Sequence, residues 1–158
     1  MPRCYAPAAV VAAFAHAAGL AAKAGFDVVE LHGVCTDEYL DTGYHLEEIL
    51  ELAPILYQAG ADLIDCTGAG AGPGAPEPWP GWQLPASRQV KERAGGPVMA
   101  TGGLGVPELA DFAVRSQHAD LVAVGRAMLR HPYWALAAAR RLGLEVDKLA
   151  PQPYARVF

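Results

Sequence analysis

The sequence has few cysteines, no basic cluster and no long uninterrupted apolar run, and each scarcity excludes a class of protein. Its three cysteines, Cys4, Cys35 and Cys66, stand far apart in 158 residues. An odd number without a CxxC pair indicates neither a zinc site nor a disulfide framework, and suits reduced thiols in a cytoplasmic protein. Lysine and arginine number 12 against 17 acids, a formal net charge of −5, which argues against a nucleic-acid surface. The alanine-rich stretch from Ala8 to Ala24 is interrupted by His16 and Lys23 and lacks a basic leader and a clear cleavage site, so it is not read as a targeting segment. Nothing approaches the roughly 18 uninterrupted apolar residues of a membrane span. The acids Asp37, Glu38 and Asp41 show no metal-ligand spacing and read as a solvated loop. A soluble protein without metal, membrane or nucleic-acid partners is expected.

What is present is apolar sequence. Hydrophobic residues make up 53% of the chain and charged ones 18%, a balance that suits a folded core rather than disorder. The length suits one domain over 1–158, with 144–158 as a C-terminal tail.

Three stretches share a plan: "AGFDVVELHG" (Ala24–Gly33), "AGADLIDCTG" (Ala59–Gly68) and "SQHADLVAVG" (Ser116–Gly125). Each passes from the end of a helical pattern to an acid (Asp27, Asp62 or Asp120), then a largely apolar run, then glycine. "GPVMATGG" (Gly96–Gly103) follows the plan without the acid. Continuous apolar runs of this kind suit strands buried on both faces of a parallel sheet.

Helical patterns separate the runs, over Pro7–Lys23, His45–Gln58, Pro85–Ala94, Pro107–Arg115 and Pro132–Leu142. Pro54 should kink the second or mark its first turn, whereas Pro107 and Pro132 suit a first helical position. The order α–β–α–β–α–β–α–β–α predicts an α/β fold with four parallel strands: a (βα)4-type half of a TIM barrel with an extra N-terminal helix. An open flavodoxin-like sheet is the alternative. The Gly- and Pro-rich stretch Gly68–Pro80 reads as a loop, over the site or a plain connector.

In parallel α/β folds the site lies at the carboxyl ends of the strands. Gly102 and Gly103 close one run, while Gly125 and Arg126 close the next. Glycines let backbone N–H groups approach an oxyanion, a following helix start adds partial positive charge, and arginine offers a bidentate contact. These four residues are candidates for binding a phosphate; the alternative is that the glycines only permit tight turns.

The whole stretch "PVMATGGLGVPELADFAVRSQHADLVAVGRAMLRHPYWALAAARRLG" resembles the last two βα units of the old yellow enzyme family of FMN-dependent ene-reductases. "AGADLIDCTGAG" with "PGWQLP" is similar to that family's sixth strand and loop. "AAKAGFDVVELHG" is similar to its fourth unit, and "PQPYARVF" to the tail of one subclass. The resemblance implies FMN, its phosphate held by Gly102, Gly103, Gly125 and Arg126, and NAD(P)H as reductant. It implies an oxidoreductase reducing an activated, enone-like alkene, with His32 and Arg156 as catalytic candidates: His32 to polarise the acceptor carbonyl, Arg156 to reach a neighbouring subunit's site. The sequence also departs from the family. Its barrel is at least twice this long, and its first three strands have no counterpart here. Cys35 stands where a second histidine or asparagine is usual, and the segments bearing a catalytic tyrosine and a flavin-facing arginine are missing. A non-catalytic module that binds FMN or another phosphorylated ligand is therefore the rival reading.

Other residues carry less. Tyr39 and Tyr44 are possible proton donors in no recognisable motif. His16, His45, His118 and His131 read as solvated surface, and Trp79 and Trp82 as anchors of the proline loop or caps of a pocket. Tyr154 and Phe158 suggest that the tail docks on a surface. A half-barrel leaves two strand edges open and a trough uncovered, so a homodimer or higher homo-oligomer is expected, or a subunit that completes a barrel by association.

Overall fold

A computed structural model describes residues 7–33, 35–68 and 74–157. Cys4, the 69–73 part of the Gly68–Pro80 loop, the side chain of Tyr154 and Phe158 lie outside the described residues. The chain divides into two compact units, Met1–Val34 and Cys35–Phe158.

The first unit holds helix α1 (Pro7–Lys23). Gly25 ends it in the left-handed conformation, φ +86°, and its N–H donates to Ala22 O while Phe26 N–H donates to Ala21 O. This pair of bonds is the Schellman arrangement, which needs a residue free of Cβ strain at the turn. The run that follows, expected as the first strand, forms no strand: residues 28–33 are irregular, with Val28 82% exposed. The expectation of four strands is corrected to three among the described residues. An apolar β-branched run is only the means to pair; a strand also needs a neighbour, and the described residues of this unit contain none.

The second unit begins its regular structure with α2 (Leu46–Gln58), whose first backbone N–H groups are served by Glu48, its carboxylate accepting from His45 N–H at 2.9 Å. The helix runs through Pro54 instead of breaking. There follow β1 (Ile64–Cys66), α3 (Leu84–Ala94), β2 (Val98–Thr101), α4 (Pro107–Arg115), β3 (Leu121–Ala123), α5 (Arg126–Arg130) and α6 (Trp134–Arg141). The tail carries two 3-10 turns, Val146–Lys148 and Gln152–Val157. Strand order is β1-β2-β3, all parallel, with Cys66 beside Ala100 and Thr101 beside Ala123. The sheet is therefore small and open.

Two clusters form the core. Ile49, Ala53, Cys66, Val90, Ala94 and Val98 join α2 and α3 to the sheet; Leu84, Ala100, Leu104, Ala113 and Ala119 form the second. Burial alternates along β2, with Val98 and Ala100 fully covered and Met99 and Thr101 half-buried. β2 is thus covered more deeply on one face than on the other, where continuous apolar runs suggest cover on both.

The acid before the third run has a structural task that its position alone did not reveal. Asp120 accepts from the backbone N–H of Val98 at 2.9 Å and from Lys91 Nζ at 2.7 Å, tying β3's start to β2 and α3. On the other side, the Tyr57 hydroxyl donates to Pro97 O and accepts from Ile64 N–H. The Lys91 ammonium, then the Val98 N–H, hold the Asp120 carboxyl below its ordinary pKa. A depressed folded pKa contributes stability that is full above the unfolded value, about 3.9, and is lost as pH falls through the folded one. The wild type should therefore lose more stability on acidification across that range than Asp120→Asn, in urea titrations run at successive pH values.

Candidate functional site

Because the three strands are parallel, their carboxyl ends share one edge of the sheet, and the loops that follow them meet there. Thr101, the last residue of β2, donates its hydroxyl to Asp65 Oδ1 at 2.7 Å across to β1. Gly102 and Gly103 come next with φ +134° and +68°, backbone conformations that a side chain resists.

Both glycines lie directly under the turn at Trp79–Gln83. A Cβ on Gly103 would stand 2.7 Å from Trp79 O, and one on Gly102 would stand 2.6 Å from Trp82 Nε1. The loop continues to Gly105, whose carbonyl accepts from Trp134 Nε1 at 2.9 Å, and where a Cβ would approach Ala127 to 2.9 Å. These contacts seat the β2–α4 loop against the start of α5, so the Gly102–Gly103 and Gly125–Arg126 pairs adjoin at neighbouring strand ends.

Gly125 differs from the other two. Its φ is −88° and nothing lies within 4 Å of where its Cβ would be. Neither backbone strain nor packing calls for glycine here, so the position is left open on its Cβ side. Arg126 is exposed and, among the described residues, its guanidinium has no ion pair or hydrogen bond. The expected helix contribution needs correction: α5 has only five residues, so the positive charge at this end of the sheet comes from Arg126 itself.

Beside the glycines stands a buried polar group that the sequence did not single out. Gln83 is 2% exposed, and its Oε1 accepts from the Thr36 hydroxyl at 2.8 Å. Thr36 N–H donates to Thr67 O at 2.8 Å, just past β1, and a Cβ on Gly68 would run into the Gln83 amide. Trp82 stacks on Tyr39 with ring centroids 6.4 Å apart, and Trp79 meets Trp82 edge-on. Tyr39 is itself left-handed at φ 56°, its N–H bonded to Asp37 Oδ1 at 2.6 Å. The "PGWQLP" stretch that holds Gln83 assigns it no role by itself; the three-dimensional convergence on Gly68 and Gly102 marks it.

The remaining candidates are placed as follows. Tyr44 accepts from the Cys35 backbone N–H at 2.6 Å, and burial raises the pKa of its phenol. Burial, with the Asp65 carboxylate adding to it, pushes the Cys66 thiol up to about 12, so this cysteine stays protonated and unreactive at neutral pH. His32 belongs to the first unit, exposed on the irregular segment with Nδ1 3.9 Å from Glu30. Arg156 is exposed in the last 3-10 turn. The strand ends of the second unit thus bring the four phosphate candidates together. Among the described residues no group of His, Cys, Asp and Glu could hold a metal, and no helix is long and apolar enough to cross a membrane.

A small open parallel sheet flanked by helices, with glycine turns at its carboxyl edge, defines an α/β protein. Comparison with known proteins narrows the class. The chain is 35% identical over 128 residues to an NADPH dehydrogenase of Listeria monocytogenes, covering 79% of this chain and 36% of that protein. It is 32% identical over 124 residues to the NADPH dehydrogenase of Halalkalibacterium halodurans, covering 77% and 35%. That of Clostridium acetobutylicum is 28% identical over 201 aligned positions, covering 94% and 59%. No family model matches the chain. The chain is therefore a homologue of NADPH dehydrogenases of the old yellow enzyme type, and it spans about a third of the length of the first two relatives. The third alignment is longer than this chain, so that relative carries internal segments with no counterpart here.

Proposed function

We propose that this chain is an FMN-binding, NADPH-dependent oxidoreductase acting on activated alkenes, with the phosphate of FMN held between Gly102–Gly103 and Gly125–Arg126. The observation that carries the reading is the open position at Gly125 beside Arg126, which has no ion pair or hydrogen bond among the described residues, next to a strand end that favours glycine. That donor set fits a phosphate: a guanidinium gives two parallel charge-assisted bonds to its oxygens, and glycine backbone admits close approach. Bound flavin would supply the hydride carrier. Gln83 and Trp82, packed on Gly68 and Gly102, position the loops that frame the site. His32 would donate a hydrogen bond to the acceptor carbonyl, and Arg156 would reach from the tail into a neighbouring subunit's site. In this reading residues 1–158 act as one half-barrel-like domain in the cytoplasm, with 144–158 as its tail.

A second reading, a module that binds FMN without turnover, is favoured by the internal segments of the Clostridium relative that are missing here. The segments with the family's tyrosine proton donor and ring-facing arginine have no counterpart in this sequence. NADPH oxidation by the FMN-loaded protein separates the two. Enone-dependent consumption of NADPH that falls at least tenfold in His32→Ala supports the enzyme; flavin retained with no consumption supports the module.

A further inference from the structure

We propose that the exposed indole of Trp79 is the face on which the isoalloxazine ring of FMN stacks. The inference rests on the flavin reading and adds to it the group that holds the ring. The chain has three tryptophans; Trp82 and Trp134 are half-buried, whereas Trp79 is 52% exposed. Its backbone is nevertheless held. Pro78 and Pro80 flank it, and a proline fixes its own φ and confines the residue before it to extended backbone. Trp79 O accepts from Trp82 N–H at 3.2 Å, and the same carbonyl lies 2.7 Å from where a Cβ on Gly103 would stand.

The ring is backed by two others. Trp79 meets Trp82 edge-on with ring centroids 6.3 Å apart, and Trp82 stacks in turn on Tyr39. Tyr39 is itself fixed: Asp37 accepts its N–H at 2.6 Å, and its carbonyl stands where a Cβ on Gly74 would be. The chain of ring contacts is thus half-buried at Tyr39 and Trp82 and exposed only at Trp79. An edge-on contact covers one face of an indole at most, so a face of Trp79 is left for a flat partner. A ring held in this way loses little freedom when a ligand packs on it, the property that makes rigid aromatics effective binding anchors.

Location identifies the flat partner. Trp79 lies over Gly103 at the end of β2, and the next strand, β3, about 4.8 Å away, leads into Gly125 and Arg126. A guanidinium and an aromatic face at neighbouring strand ends suit a planar heterocycle that carries a phosphate. The ribityl chain of FMN separates its ring from its phosphate and lets both contacts form at once. Stacking on an aromatic side chain is open to any heterocycle, so the adenine of NADPH is the competing occupant.

Titration of the wild type and Trp79→Ala with FMN, read by flavin emission, tests this, because an indole in contact with isoalloxazine quenches that emission. The wild type should quench bound FMN. Trp79→Ala should leave it several-fold brighter and bind it about tenfold more weakly, with far-ultraviolet circular dichroism unchanged. Trp79→Tyr should restore most of both effects, since a phenol also stacks and quenches. Riboflavin, which lacks the phosphate, should depend on Trp79 in the same way and not on Arg126. FMN bound equally tightly and equally dim in the wild type and Trp79→Ala overturns the proposal and leaves the phosphate reading standing. Loss of NADP+ binding in Trp79→Ala with FMN unaffected also overturns it, and gives the indole to adenine. A wild type that binds no FMN overturns both readings.

Discussion

Arg126→Ala should weaken FMN binding by about one to two orders of magnitude while leaving the unfolding midpoint where it was. A hydrogen bond to a charged group contributes about 1.5–3 kcal/mol, and each 1.4 kcal/mol is roughly tenfold in affinity. Stability should not change, because Arg126 is exposed and has no ion-pair or hydrogen-bond partner among the described residues to lose. Arg126→Lys should recover only part of the affinity, since an ammonium keeps the charge but not the fork that grips two phosphate oxygens. Fluorescence quenching of FMN on titration with each variant gives the comparison. Equal affinity in wild type and Arg126→Ala would remove the phosphate from this strand end.

Gly103→Val should unfold the second unit's sheet edge and lower the urea midpoint sharply. A non-glycine residue in the left-handed region costs about 1–2 kcal/mol, and forcing atoms into filled space costs about 1–3 more. Here the obstruction is backbone, Trp79 O and the Gly81 nitrogen, neither of which can swing aside as a side chain could. Gly125→Ala is the informative contrast. Its φ of −88° suits alanine and its Cβ meets nothing, so stability should hold. If flavin phosphate approaches the open side of Gly125, the same change should weaken FMN binding. The two glycines would then be distinguished by what each makes room for, protein at Gly103 and ligand at Gly125.

Much of this arrangement is legible in the sequence because it is local. Proline in the first turn marks the starts of α1, α3 and α4, glycine past the last turn marks the ends of α1 and α3, and the runs ending at Gly68, Gly103 and Gly125 hold the three strands. The first run is not decidable locally. "FDVVEL" has the composition of a strand, but pairing is a contact between distant residues and its partner is not written beside it. The phosphate candidates follow from strand ends, whereas Gln83 and Asp120 do not. Their roles come from burial and from backbone N–H groups, at Val98 for Asp120, that no spacing in the sequence announces. Nor did sequence separate the glycines: all three look alike as letters, yet two lie under the Trp79–Gln83 turn and one faces open space.

The central claim is that the carboxyl edge of this sheet holds FMN, and the visible absorption spectrum of the gel-filtered protein, mixed beforehand with FMN, tests it most directly. Flavin bands that co-elute with the protein, and are lost in Arg126→Ala, are the predicted result. A colourless protein peak in the wild type, with all flavin in the small-molecule fraction, would contradict the claim and leave the strand-end glycines as turns.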